Sequence, residues 1–506
     1  MKYRSETRIL SLLLSLLLIA APFAGCSEKS EPGETQADPV SRPAETNGGT
    51  ETAPAVEEEE TLPKLDVESA DLGGRDFTII TSDWGGYVPL EVTDIVVEEI
   101  TGEVLNDAAY NRNLYMAENF KVKVVNESYL DYNLQQTALL RAQTSGDTIY
   151  DVALIRGWGA QAMLTNGLFC ELDSVEHINV DNPWWSRNSY DSLAIAGKHF
   201  YAVSDMSTNP MLAVWCVYFN KQMIRDYQLT NPYDMVSEGT WTYDRVFDMA
   251  AVVPKDLDGD GKMGCDDQFG ISHSNDTTMG MYNSSGVIVA KTDENGVPEF
   301  TFMDEVSMTK QLHILDRLYN KEVCYNHHAS TMNTKQYDES FPFSEGRILF
   351  LFAGVHNASV LRDMEQEFGI LPYPKYDDSQ ANYIPSTSGL FLQLTAIPRI
   401  NSGTEEIGML VEAYAKYGFE HLRPAFYETI LQRKVARDEE SVAMIDYIFG
   451  NLYYDIGNVL NLGNMSIDMI TIVSQYFSNL SSYYTTKMRV AEKYLSKLMD
   501  SLEEIG

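Results

Sequence analysis

Short apolar runs alternate with amphipathic stretches from residue 77 onward, and this alternation leaves few folds open to the chain. Phe77–Thr81, Lys121–Val125 and Tyr150–Ile155 have the apolar, β-branched composition of buried strands. Asn106–Asn119 and Tyr132–Gln143 lie between these runs and have the spacing of helices. Because strands alternate with helices, we predict an α/β fold built on a mostly parallel sheet.

The alternation continues in the second half of the chain. Thr242–Ala251 is a predicted helix with Thr242 as its cap, and Arg347–Phe352 and Gly369–Leu371 are predicted strands. Ser402–Glu405 is a capping box before another helix. Near the end, apolar residues recur at steps of four and three, which predicts a long helix packed on a lobe: Tyr484, Met488, Ala491, Leu495, Leu498 and Leu502.

Size and charge restrict the possible partners. The chain has 506 residues, enough for more than one lobe with a large core, and a formal net charge of -37. A negative field of this size repels phosphate backbones and anionic headgroups, which excludes nucleic acid as an expected partner. We expect a monomer whose acidic surface is solvated.

The N-terminus predicts a surface location. Lys2, Arg4 and Arg8 precede the apolar run Ile9–Ala21, which is too short for a comfortable membrane span. The following Phe-Ala-Gly-Cys26 resembles the bacterial lipoprotein signal, in which the cysteine is lipidated, although its phenylalanine replaces the usual aliphatic residue. We predict a signal peptide over 1–26, lipidation of Cys26 and attachment to the outer face of the cytoplasmic membrane. An ordinary signal peptide cleaved nearby is the alternative.

Residues 27–71 are rich in Glu, Pro, Thr, Ser and Gly, and we predict a disordered acidic linker there. Four cysteines remain after Cys26, without a CxxC pair, so that disulfides and free thiols are both open: Cys170, Cys216, Cys265 and Cys324.

The sequence DLDGDGKMGCDD, residues 256–267, has the spacing of a calcium loop. Asp256, Asp258 and Asp260 occupy positions 1, 3 and 5, glycine follows at position 6, Lys262 offers its carbonyl at position 7, and Asp267 takes position 12. Asp267 replaces the usual glutamate. We predict that the loop binds calcium as a structural staple, and the alternative is a polar turn without a metal.

Seven segments in order resemble the extracellular solute-binding proteins of bacterial ABC importers, family 1, related to maltose-binding protein. They are Tyr150–Gly159, Gly167–Leu172, Gly197–Ala202, Val217–Lys221, Thr240–Asp244, Phe343–Phe350 and Phe368–Pro374. Asp181–Trp185 and Tyr453–Asn458 depart from the family pattern.

The resemblance implies a type II fold of two α/β lobes joined by hinge strands, with the ligand in the cleft between them. We expect lobe 1 to comprise 72–208 and 376–415, and lobe 2 to comprise 209–375 and 416–506. It also implies capture of a carbohydrate, oligosaccharides above all, or of another polar solute, and its delivery to the permease subunits of an ABC transporter.

Sugars need aromatic platforms beside groups that form hydrogen bonds, and ligands of open α/β sheets lie beyond the carboxyl ends of strands. Loops that satisfy both conditions supply the candidate ligand-binding residues Ser82, Asp83, Trp84, Tyr87, Arg156, Trp158, Asp205, Met206 and His356. Trp158 could equally belong to the core, and Arg156 could pair with a carboxylate. We assign Trp184, Trp185, Trp215 and Trp241 to packing, and His327-His328 to a surface loop.

Two other functions remain open at this point. A secreted carbohydrate-active enzyme would need a pair of carboxylates at a set separation, which 74 acidic residues make impossible to find from spacing. The sequence has no G-x-S-x-G or H-E-x-x-H motif, so we predict no catalytic residues. A calcium-dependent adhesion module would be favoured by repeated calcium loops, and this chain has one.

Overall fold

A computed structural model describes residues 62–83, 94–328, 339–362, 364–401, 405–432, 439–474 and 479–505. The predicted signal peptide, Cys26, Trp84, Tyr87 and most of the capping box at 402–405 lie outside these residues. Residues 62–71 were predicted to belong to the disordered linker, and this is wrong, because they lie against the body of the protein together with Leu72. Leu65, Val67, Ala70 and Leu72 pack on a buried core, which explains why the chain is ordered before residue 72.

Twelve strands form two five-stranded sheets and one hairpin in the described residues. They are β1 (Asp76–Ser82), β2 (Lys123–Tyr129), β3 (Val152–Arg156), β4 (Tyr201–Ala202), β5 (Trp215–Asn220), β6 (Phe269–His273), β7 (Ala290–Thr292), β8 (Pro298–Phe300), β9 (Cys324–Asn326), β10 (Ile348–Gly354), β11 (Phe368–Leu371) and β12 (Gln393–Ala396).

Helices cover the sheets. They are α1 (Val104–Asn119), α2 (Tyr132–Ser145), α3 (Gly157–Thr165), α4 (Arg187–Ser192), α5 (Asn209–Leu212), α6 (Lys221–Asp226), α7 (Pro232–Ser237), α8 (Tyr243–Ala250), α9 (Thr277–Ser284), α10 (Glu305–Leu318), α11 (Phe341–Ser344), α12 (Ala358–Leu361), α13 (Glu405–Tyr417), α14 (Arg423–Gln432), α15 (Glu439–Gly450), α16 (Ile456–Val459), α17 (Met465–Thr471) and α18 (Leu480–Ile505). A π-helical turn, Gly418–Leu422, joins α13 to α14.

Each sheet is mostly parallel, as predicted, and each also contains one reversed strand, which was not predicted. The first sheet has the order β2-β1-β3-β12-β4, with β12 antiparallel to both neighbours. The second has the order β11-β5-β10-β6-β9, with β5 reversed. The strands β1, β3 and β10 are buried almost throughout, as expected for parallel strands covered on both faces. The predicted two-lobed α/β fold is confirmed.

The ends of most predicted elements lie within two residues of the observed ends. The exception is β2, which extends beyond its predicted end at Val125. This strand continues to Tyr129 through Asn126, Glu127 and Ser128. Because β2 lies at the edge of its sheet, polar side chains remain exposed along it, and the apolar pattern ends before the strand does. Thr242 is the N-cap residue of α8, but its side chain makes no capping hydrogen bond.

Three chain segments pass between the sheets and pair with one another. Val214 forms an antiparallel bridge with Thr387, and Ser386 forms a parallel bridge with Tyr453. The Trp215 N–H donates to Ser386 O at 3.0 Å, and the Tyr453 N–H donates to Pro385 O at 2.8 Å. These three segments, which we call the hinge, connect the lobes through a narrow band of backbone.

The last helix contacts both cores. Tyr484 and Ala491 of α18 are buried in the core around the second sheet. Leu498 and Leu502, further along the same face, are buried in the core around the first sheet. The predicted amphipathic helix is confirmed, and one helix joins the two lobes.

The described cysteines beyond the linker are free thiols: Cys170, Cys216, Cys265 and Cys324. No described helix combines the length and the apolar character needed to cross a membrane. Trp184, Trp185, Trp215 and Trp241 are at most 4% exposed, which confirms their assignment to packing.

Candidate functional site

The carboxyl ends of the parallel strands place polar residues at one edge of each sheet. Ser82 and Arg156 end β1 and β3 of the first sheet. His273 and Asn326 end β6 and β9 of the second sheet, and His356 follows β10. Ligands of open α/β folds bind beyond such edges. We call these two surfaces the first edge and the second edge.

Arg156 is the central cation of the first edge. It is 6% exposed, and its Nη2 donates to the Ser82 carbonyl at 3.5 Å. Burial lowers the pKa of Arg156 to about 10, and the nearby carboxylates Asp83 and Asp131 oppose this shift. The guanidinium therefore stays charged at neutral pH and presents several donors in a fixed plane.

The loop after β1 is only partly described. The Asp83 N–H donates to Tyr129 O at 2.6 Å, and the Asp83 carboxylate accepts a short hydrogen bond from Ser128 Oγ. Both partners belong to β2, so Asp83 is fixed by the neighbouring strand. Ser82 is 2% exposed, which leaves Asp83 as the accessible member of this pair.

Trp158 lies against the hinge. Its backbone N–H donates to Gly389 O at 3.1 Å, and its Nε1 donates to Asn458 O at 3.1 Å. Gly389 has no room for a side chain, because a Cβ atom there would lie 2.8 Å from Trp158 Nε1 and 2.4 Å from Asn458 O. The half-buried indole thus connects the end of β3 with two of the three hinge segments.

An aromatic group lies between the hinge and the second edge. The Phe391 ring is edge-on to Trp215, with centroids 6.4 Å apart, and edge-on to His356, with centroids 5.7 Å apart. His356 is 2% exposed and its Nδ1 lies 3.2 Å from Leu212 O. Phe391 is only partly buried and was not predicted, because its neighbours Leu390 and Leu392 make it look like part of an apolar core segment.

The second edge carries imidazoles and carboxylates. His327 Nδ1 lies 3.0 Å from Glu339 Oε2, and the rings of His327 and His328 are 3.8 Å apart. His273 is 1% exposed, and burial lowers its pKa to about 4, so it is neutral at pH 7. Burial raises the pKa of Asp276 to about 6.

The predicted surface loop at His327-His328 is confirmed as a turn, but the prediction did not locate this turn in the fold. The pair forms a turn immediately after β9, and the Asn275 N–H faces His328 Nδ1 at 3.4 Å. Because β9 is parallel to β6, this turn lies at the second edge rather than on a remote surface. Spacing of His and Cys along the chain could not reveal it, since the neighbouring polar groups come from β6 and residue 339.

The structure separates Asp205 and Met206 from the edge residues. Met206 is fully buried in the core of the first lobe. Asp205 pairs with Arg423 at 2.7 Å and lines a cavity of about 350 Å³ behind the hinge. None of the strand-end residues lines this cavity, whose walls include Ser186, Pro210, Tyr427, Phe449 and Tyr454. Burial raises the pKa of Asp205 to about 6, and Arg423 opposes the shift.

Asp455 organises the hinge, and sequence reasoning missed it. Its carboxylate accepts the N–H groups of Val289 at 2.7 Å and Gly457 at 2.9 Å, and the Asn283 amide at 3.0 Å. Asn458 Nδ2 donates to Asn283 Oδ1 at 3.0 Å and to Thr387 O at 3.3 Å. Burial raises the pKa of Asp455 to about 6. The available signal was the helix cap of α16, since Asp455 is its N-cap residue.

The aspartate loop lies at the amino end of β6, at the opposite end of this strand from His273. Asp256, Asp258 and Asp260 each direct a carboxylate oxygen into one group, within 4.8 Å of the others. This all-oxygen set fits a calcium ion. Asp267 is 1% exposed and uses its two oxygens on the N–H groups of Leu257 and Gly264, both at 2.7 Å. The Lys262 N–H donates to Asp260 Oδ1 at 2.8 Å.

Solved structures share this architecture at low sequence identity. An ABC substrate-binding protein from Listeria monocytogenes, in complex with cycloalternan, aligns with a TM-score of 0.53 and 12% identity over 83% of this chain and 99% of that chain. The GacH receptor of Streptomyces glaucescens, solved unliganded and with acarbose, aligns with a TM-score of 0.54 and 12% identity over 84% of this chain and 99% of that chain.

The maltose/maltodextrin-binding domain MalE from Bdellovibrio bacteriovorus, bound to maltotriose, gives a TM-score of 0.52 and 12% identity over 85% of this chain and 100% of that chain. No protein-family model matches the sequence, and no curated protein matches it. These likenesses show the fold of periplasmic binding proteins.

Proposed function

We propose that this protein is the substrate-binding lipoprotein of an ABC importer and that it captures a carbohydrate between its two lobes. The observation that carries the proposal is the arrangement of the two edges on either side of a narrow hinge. Proteins with this fold include those solved with cycloalternan, acarbose and maltotriose.

The chemistry of the edges suits a ligand rich in hydroxyl groups. Arg156 supplies donors, neutral His273 can donate or accept, and Phe391 supplies an apolar face. Asp83, Trp84, Tyr87, Trp158 and His356 complete our proposed contact set with Ser82. Closure of the lobes about the hinge would bring both edges onto one ligand, and the closed form would then engage the permease.

We propose that the protein binds its ligand without transforming it. The proteins of similar fold named above are a substrate-binding protein, a receptor and a binding domain rather than enzymes. The strongly perturbed acids Asp205, Asp276 and Asp455 are engaged with Arg423, Ser274 and backbone N–H groups, respectively.

A thermal-shift titration with maltotriose, acarbose and a panel of mono- and oligosaccharides tests this function. A ligand present at 100 times its Kd should stabilise the protein by about 2.7 kcal/mol. Arg156→Ala should abolish the shift, whereas His421→Ala, which removes an exposed side chain of the π-helical turn, should keep it. Chromatography of the recovered sugar must show it intact, and turnover would identify an enzyme instead.

We also propose that calcium occupies the aspartate loop through Asp256, Asp258 and Asp260, with the Lys262 carbonyl and Asp267 as further ligands. The ion would offset two of the three negative charges of these adjacent carboxylates and brace the start of β6. Calcium should raise the melting temperature, EDTA should lower it, and ligand binding should persist in both. An unchanged melting temperature would identify a metal-free turn.

We propose that Cys26 carries the lipid anchor. Mass spectrometry of the N-terminal peptide from expressing bacteria should find a diacylglycerol on this cysteine. Cys26→Ala should release the protein into the medium. Unmodified Cys26, with cleavage elsewhere, would point to an ordinary secreted form.

A further inference from the structure

His177 lies among carboxylates from separate chain segments, on the first lobe and away from both edges. Glu176 precedes it, Glu405 comes from the first turn of α13, and Asp66 comes from the segment 62–72. One ligand atom each of Glu176, His177 and Glu405 lies within 4.8 Å of the others. His177 Nε2 is 3.5 Å from Glu405 Oε1, and Nδ1 is 3.6 Å from Asp66 Oδ2.

The two nitrogens of His177 have different surroundings. Asp66 faces Nδ1, which favours the tautomer with a proton on that nitrogen. Nε2 then directs its lone pair towards Glu405, and this atom is buried without a hydrogen-bond partner in the described parts of the chain. A lone pair beside carboxylates is unfavourable unless a cation lies between them.

The scaffold around the cluster is rigid. Gly408 of α13 packs on the Glu176 carbonyl so closely that a Cβ atom there would lie 1.8 Å from the oxygen. The buried Glu412, one turn further along α13, accepts hydrogen bonds from Trp184 Nε1 at 2.8 Å and Trp185 Nε1 at 2.6 Å. Two contacts therefore hold the loop that carries Glu176 and His177 against the helix that carries Glu405.

We propose that Glu176, His177 and Glu405 form a binding site for a first-row transition-metal dication of the zinc class. An imidazole nitrogen with two carboxylate oxygens is a set that zinc accepts, whereas calcium takes oxygen ligands. Asp66 orients the imidazole from outside the coordination sphere, as carboxylates commonly do for metal-bound histidines. Both glutamates are exposed, so the ion can enter from solvent.

Binding at this site would fix the segment 62–72. The segment is held by partly buried apolar side chains and by backbone hydrogen bonds, such as Ala70 N–H to Asn119 O at 3.0 Å and Leu72 N–H to Phe120 O at 3.1 Å. Metal bound to His177 would strengthen its contact with Asp66. The segment would then be pinned to the first lobe at a point upstream of those hydrogen bonds.

Calorimetric titration of the chelator-treated full chain with zinc chloride tests the proposal. We expect one zinc site in the wild type. Its affinity should fall at least about 100-fold in His177→Ala and about 10- to 100-fold in Asp66→Asn. His421→Ala controls for the removal of an exposed histidine. Cobalt should give visible absorption in the wild type and lose it in His177→Ala, and amide exchange over 62–72 should slow with zinc.

His177 has a positive φ of 70°, so its replacement could perturb the loop. The double variant Glu176→Gln/Glu405→Gln changes only exposed side chains and should also lose the site. Identical titrations for the wild type and either variant would overturn the proposal. An absence of zinc binding to the wild type would also overturn it. Sugar binding should be unaffected in every variant.

Discussion

Asp455 and two aspartates of the aspartate loop, Asp258 and Asp260, all use carboxylates to accept backbone N–H groups, but in opposite environments. Asp455 is 1% exposed and joins α9, the start of β7 and the hinge. The loop carboxylates of Asp258 and Asp260 are exposed and bond to N–H groups two residues away. The loop is conspicuous in the sequence because it contains many aspartates. Asp455 stands by itself in the sequence, and it is Asp455 that connects distant parts of the molecule.

The two kinds of carboxylate differ in how their backbone N–H partners would fare if the carboxylate were removed. Buried N–H groups without an acceptor cost free energy, because water cannot replace the lost partner. Exposed N–H groups in a surface loop regain water at once. We therefore expect stability to depend on Asp455 far more than on Asp256, Asp258 or Asp260 of the loop.

The largest expected effect is that of Asp455→Ala. Removing the acceptor of Val289, Gly457 and Asn283 should lower the free energy of unfolding by about 3–5 kcal/mol, measured by chemical denaturation. Asp455→Asn retains one acceptor oxygen and should cost less. A loss below about 1 kcal/mol in the alanine variant would remove the distinction between the two sites.

A second test packs a methyl group into the hinge. Gly389→Ala should destabilise by about 1–3 kcal/mol, because the new Cβ would lie 2.4 Å from the backbone oxygen of Asn458. Gly450→Ala is the matched control, since a Cβ there meets no atom within 4 Å. Equal stabilities of the two variants would show that the hinge can relax.

The pH dependence gives a third test. Burial raises the pKa of Asp455 from its usual 3.8 to about 6, so the folded state holds a proton that the unfolded chain has lost between these values. Acidification from pH 7 to pH 5 should therefore add about 1 kcal/mol of stability from this group, which is lost again as pH rises through 6.

Asp205 and Asp276, whose pKa values are also raised to about 6, should add effects of the same sign. Asp455→Asn should show a smaller gain between pH 7 and pH 5 than the wild type. Parallel stability curves for the two proteins would contradict a raised pKa at Asp455.

The smallest expected effect is that of Asp256→Asn without calcium. Its carboxylate accepts the N–H groups of Gly259 at 2.6 Å and Gly261 at 2.8 Å, and the asparagine oxygen can keep one of them. We expect a loss below about 1 kcal/mol in EDTA, and a larger difference from wild type when calcium is added. A large loss in EDTA would make the loop itself a structural centre.

The fold was predictable because its signals are local. The buried strands β1, β3 and β10 are continuous apolar runs, and the four-and-three spacing of α18 identifies the face that packs. The site was predictable only in part. The end of β3 follows from the strand itself, so the position of Arg156 at the first edge was predictable, whereas its role in ligand binding stays a prediction.

The hinge and the second edge depend on contacts between distant residues. Asp455 and Asn283 are 172 positions apart, and no local pattern indicates their hydrogen bond. Asp205 was a candidate because it lies near the expected hinge crossing, yet it faces Arg423, because β4 has only two residues and leads into a crossing segment. Position after a strand identified candidates but could not show which side of the hinge they occupy.

The helix α18 limits how the lobes can move. Its 26 residues span about 39 Å, and its two halves are anchored in different cores. Because a helix resists bending, α18 restrains the rotation of the lobes about the hinge. A large rotation would require one core to release part of its half of the helix. Deleting the last turns, including Leu498 and Leu502, would remove this restraint and widen the range of angles between the lobes.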